Sequence, residues 1–190
     1  MTKRFLIIAV LCLSALTAKA QTIEVVLGEQ PRIFLEKTRV MDNSTTFAYL
    51  EAGYKGGAMV KLFHEQKFWD APAYIHAEYQ STFDGSHTAV AGGTWSFGLP
   101  NGFISLSPLY RYDFGINTHA IQLSNCYLAS WKWCELYGYN HAWYNGGFCF
   151  FGEERFHIKI TQNLMIGAIL DITHFGRWDA SISVGVRYDL

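Results

Sequence analysis

The sequence lacks any apolar stretch long enough to cross a bilayer as an α-helix, which takes about 20 residues. Its longest apolar run, residues 5–13, is about half that length, and the run that starts at Ile166 ends before Asp171. For the chain after the apolar run 5–13, the sequence therefore excludes a protein that crosses the membrane with α-helices. Any crossing would have to be made by strands, in which only every second residue is apolar.

Charged residues are also scarce, at 16% of the chain, whereas soluble domains usually carry about 25%. Hydrophobic residues make up 50% and aromatic residues 16%. No basic patch stands out, so nucleic acid is not an expected partner. An oily, aromatic chain without apolar helices is typical of a barrel that hides its hydrophobicity in alternate residues.

Cysteine is rare, and the common catalytic motifs are missing. Apart from Cys12 in the apolar run 5–13, the chain has three cysteines, Cys126, Cys134 and Cys149, and no C-x2-C pair of the zinc-site type. Their odd number excludes a complete disulfide framework and leaves open one bridge between two of them. The sequence has no phosphate-binding glycine loop, G-x-S-x-G elbow or H-E-x-x-H pair. We therefore expect no cofactor, no metal and no enzyme activity.

Residues 1–20 have the layout of a secretory signal peptide. Lys3 and Arg4 precede the apolar run, and Ala18-Lys19-Ala20 matches the small-x-small cleavage pattern. The alternative is a membrane-spanning helix, for which the run is too short. We expect cleavage after Ala20 and one mature domain of residues 21–190. That domain keeps 12 of the 15 basic residues against all 16 acidic ones, a net charge of −4.

The mature segment alternates apolar and polar residues over long stretches. In 178–190 the even positions are all apolar or aromatic, while the odd positions are polar, charged or glycine. A period of two defines a strand with one oily face and one wet face. The same alternation runs through 73–83, 103–114, 119–132 and 155–161.

Turn sequences separate these stretches at intervals of about 10 to 15 residues, the length of a tilted membrane strand. Counting gives about eleven strands after Pro31 and one more at 23–28. Because bacterial barrels have even strand numbers, the sequence predicts an all-β fold, a transmembrane antiparallel up-and-down β-barrel of 12 strands, with 10 as the next choice. The alternative is a soluble lipocalin-type barrel, which would turn the apolar residues inward. The predicted turns are 42–44, 55–57, 70–72, 84–86, 99–102, 115–117, 145–147, 162–163 and 175–176.

The polar face of such a barrel would line its interior and any solute path. Eight strands leave room only for side chains and 16 leave an aqueous channel, so 12 strands leave open whether the lumen conducts or is plugged. The ionisable side chains assigned to the lumen are Glu51, Lys61, Glu65, His76, Glu78, Arg111, Asp113, Glu154, Arg155, His157, Asp171 and Arg187.

Three local features have competing interpretations. His76 and Glu78 share a face, either as a proton-transfer or metal-ligand pair or, as we favour, in a lumen ion-pair network. The charge cluster 153–155 is either a ligand contact or, as we favour, a solvated strand end. Ser86 beside His87 is a weak hint of an outer-membrane acyl hydrolase, because adjacent residues of a strand face opposite sides.

Five segments, 67–79, 91–96, 109–112, 119–123 and 151–154, resemble outer-membrane proteins related to the Tsx nucleoside-specific channels. The likeness covers most of the chain from Phe47 onward and is greatest to short, uncharacterised members of that family. The order and spacing of the five segments carry the resemblance more than any single motif does. The nucleoside-contacting aromatic residues of the family cannot be aligned here, so none is carried over.

The resemblance implies a monomeric barrel in the outer membrane of a Gram-negative bacterium, forming a narrow passive channel for small polar solutes such as nucleosides. Phe63 and Tyr74 would offer aromatic faces for stacking. The pattern Ser183-x-Gly185-x-x-Tyr188-x-Leu190 resembles the C-terminal signal that the barrel-assembly machinery reads. The alternatives are a plugged structural or surface-interaction barrel and, less favoured, the acyl hydrolase.

Overall fold

The computed structural model describes residues 21–29, 31–53, 57–68, 71–82 and 85–190. The proposed signal peptide, residues 1–20, lies outside these ranges. Twelve strands pair in chain order, all antiparallel, and the last pairs with the first to close a barrel. The prediction of a 12-stranded antiparallel barrel is confirmed. The strands are β1 (Thr22–Leu27), β2 (Arg32–Met41), β3 (Ser44–Ala52), β4 (Ala58–Lys67), β5 (Ala73–Thr82), β6 (His87–Leu99), β7 (Gly102–Asp113), β8 (Thr118–Ser130), β9 (Cys134–Tyr144), β10 (Phe148–Lys159), β11 (Leu164–Phe175) and β12 (Trp178–Asp189).

Closure is made by β1 and β12, which pair from Thr22 opposite Asp189 to Leu27 opposite Val184. The pairing satisfies backbone groups that an open sheet would leave exposed along both edge strands. Throughout the described ranges the regular elements are strands, and no helix there has the length and hydropathy needed to cross a bilayer.

The side-chain alternation of β12 settles which face looks outward. Ile182 is 73% exposed and Val184 49% exposed, whereas Ser183 between them is 7% exposed. Arg187 points inward, where its Nη1 lies 2.9 Å from Glu135 Oε1 of β9. The outer wall is therefore apolar and the inner wall polar, the reverse of a soluble lipocalin-type barrel.

Tight connections join the strands at the predicted turns 42–44, 99–102, 115–117, 145–147, 162–163 and 175–176. The predicted turns 55–57, 70–72 and 84–86 lie partly outside the described residues, and the β8–β9 turn at 131–133 is not among the predicted ones. Gly146 and Gly176 lie in the β9–β10 and β11–β12 turns with φ of 67° and 87°, a backbone conformation that glycine adopts without strain. The even strand number puts both ends of the barrel sequence, Thr22 and Asp189, at one end of the barrel, which we call the terminal end. We call the opposite end the far end; the β11–β12 turn lies there.

The interior is not purely polar. Val26, Phe34, Tyr49, Met59 and Ile169 form a buried apolar cluster inside the barrel. They come from β1 to β4 and β11, so the cluster lines one side of the wall. The alternation did not reveal it, because β1 and β2 are apolar on both faces. All three cysteines of the described chain are free, which answers the open question of a disulfide.

Gly167 of β11 tests how closely the inner wall is packed. An ideal Cβ on Gly167 would overlap the carbonyl oxygen of Phe156 and lie 2.7 Å from Cα of His157 in β10. We expect Gly167→Val to lower the free energy of unfolding by about 1–3 kcal/mol, because the backbone would have to shift. Denaturant titration followed by tryptophan fluorescence measures the change.

The matched control is Gly147→Val in the β9–β10 turn, where no atom lies within 4 Å of an added Cβ. That variant should stay within about 0.5 kcal/mol of the native protein. Equal losses for the two variants would contradict the packing argument.

Candidate functional site: the charged lumen and its vestibule

The strand registers place 11 of the 12 predicted lumen residues on the inner wall. Each inward residue pairs with an inward residue of the next strand, so one register propagates the face around the barrel. Their contact with a passing solute stays a prediction. The inward residues are Glu51, Lys61, Glu65, His76, Glu78, Arg111, Asp113, Arg155, His157, Asp171 and Arg187.

Glu154 is the exception, and its assignment to the lumen is wrong. Its neighbours in β10, Glu153 and Arg155, are buried inside the barrel, so Glu154 faces outward. There its carboxylate accepts hydrogen bonds from the Tyr127 hydroxyl and, at 2.9 Å, from Asn140 Nδ2. Three charged residues in a row obscured the alternation in the sequence.

Arg155 is the centre of the largest ion network. Its Nη1 donates to Glu24 Oε2 at 2.5 Å and its Nε donates to Glu153 Oε1 at 2.6 Å. His157 Nε2 lies 2.7 Å from the other oxygen of Glu24. Because all four side chains are at most 3% exposed, each charge depends on its partners for stabilisation.

Two aromatic rings also contact the Arg155 guanidinium. The Arg155 carbon Cζ lies 4.7 Å from the ring centre of Phe34 and 5.8 Å from that of Tyr137. A guanidinium over an aromatic face is stabilised electrostatically, and more so where water is absent. Since Phe34 and Tyr137 come from β2 and β9, Arg155 ties distant strands together.

Arg32 extends this network toward the far end. Its Nη2 donates to Asp171 Oδ2 at 2.6 Å, and its Nη1 lies 3.4 Å from Glu153 and 3.7 Å from Glu51. One cation therefore serves three carboxylates. Glu51 Oε1 and Asp171 Oδ1 are buried and have no hydrogen-bond partner within the described ranges.

A second network crosses the lumen. Lys61 Nζ of β4 lies 3.1 Å from Glu78 of β5 and 5.5 Å from the ring centre of Tyr139 in β9. Since β4 and β9 are not neighbours in the sheet, this side chain spans the interior. His76 joins the network through Nδ1, 3.2 Å from Glu65, which agrees with the favoured ion-pair interpretation. No group of three His, Cys, Asp or Glu residues in the described chain is arranged to hold a metal.

A serine–histidine contact inside the barrel joins two strands and was not predicted from the sequence. Ser124 Oγ lies 2.8 Å from His141 Nδ1, and Gln122 Nε2 donates to Ser124 at 2.9 Å. A serine nucleophile needs a base that a third group orients, usually a carboxylate. No carboxylate is hydrogen bonded to His141 among the described residues. The other hint, His87, instead contacts the Tyr79 hydroxyl at 3.0 Å on the outer wall.

Arg111 is an inward cation without a carboxylate within 4 Å in the described part of the chain. Its guanidinium carbon lies 4.5 Å from a ring centre of Trp143 and its Nη1 donates to Gln122 Oε1 at 3.0 Å. The Trp143 ring in turn lies 5.8 Å from Phe175. A guanidinium that lies over Trp143 and has no carboxylate partner among the described residues is therefore placed near the far end.

The far end opens into a cavity of about 330 Å³, which we call the vestibule. Phe151 and Phe175 give it an aromatic side, and Arg32 with Asp171 contributes charge. This volume lies at the lower end of the range for ligand pockets. Its lining is Glu29, Arg32, Phe151, Asp171, Thr173, Phe175, Arg177, Asp179, Ala180, Ser181 and Ser183.

Carboxylates outnumber lysines and arginines on the inner wall of the described strands. A lumen with this balance favours cations over anions of the same size. The acidic members are Glu24, Glu36, Glu51, Glu65, Glu78, Asp113, Glu135, Glu153, Asp171, Asp179 and Asp189, and the basic members are Arg32, Lys61, Lys67, Arg111, Arg155, Lys159 and Arg187.

Comparison with solved structures finds porins. A KdgM porin in complex with disordered oligogalacturonate matches with a TM-score of 0.61 and 7% identity, over 89% of this chain and 98% of that one. A second KdgM porin structure gives 0.58 and 10% with the same coverage, and a NanC porin gives 0.61 and 9% over 89% and 99%. No family model matches, and a search of curated proteins found no match. The chain therefore shares the barrel fold of outer-membrane porins.

The dependence of the inner wall on Arg155 can be measured. We expect Arg155→Met to lower the free energy of unfolding by about 3–5 kcal/mol, because, among the described residues, buried Glu24 would keep only His157 as a partner and buried Glu153 only Arg32, 3.4 Å away. Adding Glu24→Gln should restore part of the loss, since one of the two carboxylates that lost Arg155 is then neutral. Denaturant titrations of the native, single and double variants give the coupling free energy.

The control is Arg177→Met in the β11–β12 turn, an exposed arginine, which should change the unfolding free energy by no more than about 0.5 kcal/mol. A loss for Arg155→Met as small as that of the control would contradict the network.

Proposed function

We propose that this protein is an outer-membrane channel through which small polar solutes, nucleosides among them, diffuse along a constricted lumen. The observation that carries the proposal is a closed barrel that is apolar outside and charged inside. Such a wall suits a surrounding of lipid, because each backbone group is paired within the sheet. Diffusion along it needs neither a cofactor nor an enzymatic step.

The outer wall supports placement in a membrane. Ile121 is 71% exposed and Ile182 73% exposed, a poor arrangement in water and a good one among lipid tails. Trp131 and Trp133 lie at the terminal end and Trp178 at the far end, as in the aromatic belts of membrane proteins. In the proposal residues 1–20 direct export, and the barrel-assembly machinery recognises β12.

The vestibule would receive the solute. Phe151 and Phe175 offer faces on which a base or sugar ring can stack, and the hydroxyls of Thr173, Ser181 and Ser183 can bond polar edges. An aromatic face beside a few fixed polar groups suits a ring-shaped polar molecule of about nucleoside size.

In the proposal, the lumen narrows to a constriction next to the vestibule. The Lys61 side chain reaches across the interior to Tyr139, and the Arg155 network fills the opposite wall. Further along, Phe63 faces inward beside His76, with ring centres 4.8 Å apart, and is available for stacking. A lumen narrowed in this way passes small solutes and excludes long polymer chains.

The oligogalacturonate bound by the KdgM porin is not transferred to this chain. That ligand is a polyanion, and the inner wall here carries more carboxylates than lysines and arginines. Repulsion between like charges in a narrow lumen disfavours entry of an acidic oligomer. Neutral and cationic solutes are therefore the proposed cargo.

A plugged structural barrel is the second candidate, and one observation favours it. Glu24, Glu153 and His157 are at most 1% exposed, so part of the interior is packed as tightly as a protein core. The two candidates differ in conductance alone.

Conductance of the full mature chain in planar bilayers, together with swelling of vesicles that contain it, tests the proposal. We expect small, uniform current steps, a preference for cations and faster swelling in adenosine than in a neutral trisaccharide. Vesicles without protein are the control. No current steps and no swelling would contradict the channel and favour the plugged barrel.

Lys61→Ser tests the constriction. Removing the side chain that reaches Tyr139 should raise the single-channel conductance and strengthen the preference for cations, because one cation leaves the narrowest region. Glu78→Gln should shift selectivity the other way, since Lys61 then loses its partner. Reversal potentials in a salt gradient measure both shifts.

Lys132→Ser is the matched control, because Lys132 lies in the exposed turn between β8 and β9 at the terminal end. Its conductance and selectivity should equal those of the native protein. Identical reversal potentials for all three variants would refute the assignment of Lys61 and Glu78 to the solute path.

A further inference from the structure

A polar cluster interrupts the apolar outer wall halfway along β8, β9 and β10. Glu154 accepts hydrogen bonds from Tyr127 and Asn140, and Asn125 lies opposite Asn140 in the β8–β9 register. Asn125 Oδ1 is buried and has no hydrogen-bond partner in the described ranges. The cluster therefore has unused hydrogen-bonding capacity where the proposed function puts lipid.

Glu154 is the only carboxylate on the outward face of the described strands. Its two hydrogen-bond donors are neutral groups, and no cation lies within 4 Å of it in the described chain. An ionisable group at mid-membrane depth is unfavourable unless a partner or water compensates it. Within the described part of one copy, Tyr127 and Asn140 supply hydrogen bonds to Glu154 but no residue supplies a cation.

Two glycines, Gly138 and Gly152, lie beneath this polar cluster and have no side chain to separate it from the backbone. An added Cβ on Gly138 would overlap the Glu154 carboxylate and lie 2.6 Å from the Tyr127 hydroxyl oxygen, and one on Gly152 would overlap Asn140 Oδ1. The polar atoms thus rest directly on the backbone. Between transmembrane helices, small residues beside polar ones let two surfaces approach closely and hydrogen bond, and the same composition lies at this point of the outer wall.

The same chain carries the complementary charge elsewhere on its outer wall. Lys37 and Arg39 of β2 are exposed and face outward, and they are the only lysine and arginine on that face of the described strands. Neither forms an ion pair with any other described residue. Two cations therefore face lipid without a partner on the barrel itself.

The two features lie at similar depth. Glu154 precedes the last residue of β10 by five positions, and Lys37 precedes the last residue of β2 by four. Both strands run toward the terminal end, so at about 3.3 Å per residue Lys37 lies within a few Å of the level of Glu154. Arg39, two residues before the end of β2, lies about 10 Å along the strand nearer the terminal end. Around the barrel β10 and β2 are separated by β11, β12 and β1, about 19 Å along the wall at 4.8 Å per strand. They cannot meet within one copy.

We propose that the outer wall at β10 docks against the outer wall at β2 of a second copy, with Glu154 of one copy paired to Lys37 and Arg39 of the other. The inference rests on the membrane placement in the proposed function, and it departs from the monomer that the family resemblance implies. Two different surfaces meet, so the contact is heterologous and can continue to a third copy.

Charge reversal tests the contact in vesicles that contain the full mature chain at fixed density. Chemical crosslinking should yield dimers and higher species for the native protein. Glu154→Lys alone, and Lys37→Glu with Arg39→Glu alone, should each reduce the crosslinked fraction about tenfold. A mixture of these two variants should recover it, because each then presents a surface complementary to the other.

Glu29→Lys is the matched control, an exposed acidic residue at the far end whose reversal should leave crosslinking unchanged. Native protein that stays uncrosslinked, or a mixture that fails to recover, overturns the inference. Crosslinking that persists in the Lys37 and Arg39 variant, with only its binding to phosphatidylglycerol vesicles reduced, also overturns it and assigns these cations to lipid headgroups.

Heat-modifiable gel migration and protease protection, measured first on every sample, keep the two proposals separate. Variants must show the folded band before their crosslinking is compared, and Glu154→Gln, which removes the charge with little change of shape, should also reduce crosslinking. A native barrel that fails to enter the bilayer contradicts the proposed function, whereas an integrated barrel that stays single contradicts the docking alone.

Discussion

The pairing of β1 with β12 is the contact on which the rest of the structure depends. It turns a sheet with two unpaired edges into a closed wall, and it locks the register of every strand to that of its neighbours. Because side chains alternate strictly along a strand, a locked register decides for each residue whether it faces the lumen or the surroundings. A slip of one residue in one strand would turn its charged row outward.

Closure also explains why the lumen is organised by ion networks. Glu24, Glu153, Arg155 and His157 are at most 3% exposed, so these inward charges have no water of their own and their burial must be compensated by partners. Arg155 meets this demand with Glu24, Glu153 and two aromatic rings, and Arg32 meets it with three carboxylates. The contacts that stabilise the wall are therefore the same ones that narrow the lumen.

Local patterns allowed the strands, six turns within the described ranges and nearly all faces to be predicted, because a period of two and a glycine or asparagine turn are readable within about ten residues. Contacts between distant strands could not be predicted from patterns that extend over about ten residues. Arg155 and Glu24 are 131 positions apart, and Lys61 meets Tyr139 across the lumen, so both depend on register and closure. Phe34 and Val26 escaped notice because their strands are apolar on both faces, and Glu154 because it stands in a run of charges.

The departures from strict alternation divide into two groups with opposite consequences. Apolar residues inside, such as Phe34 and Ile169, fill space and support the charged side chains around them. Charged residues outside, Glu154 on β10 and Lys37 with Arg39 on β2, gain nothing from a lipid neighbour and have opposite signs. On the other ten strands the described outward residues are apolar, neutral or histidine. In the proposed docking, the charged exceptions on β2 and β10 are compensated by a second copy. The same alternation that defines the lumen therefore also marks where the outer wall is incomplete.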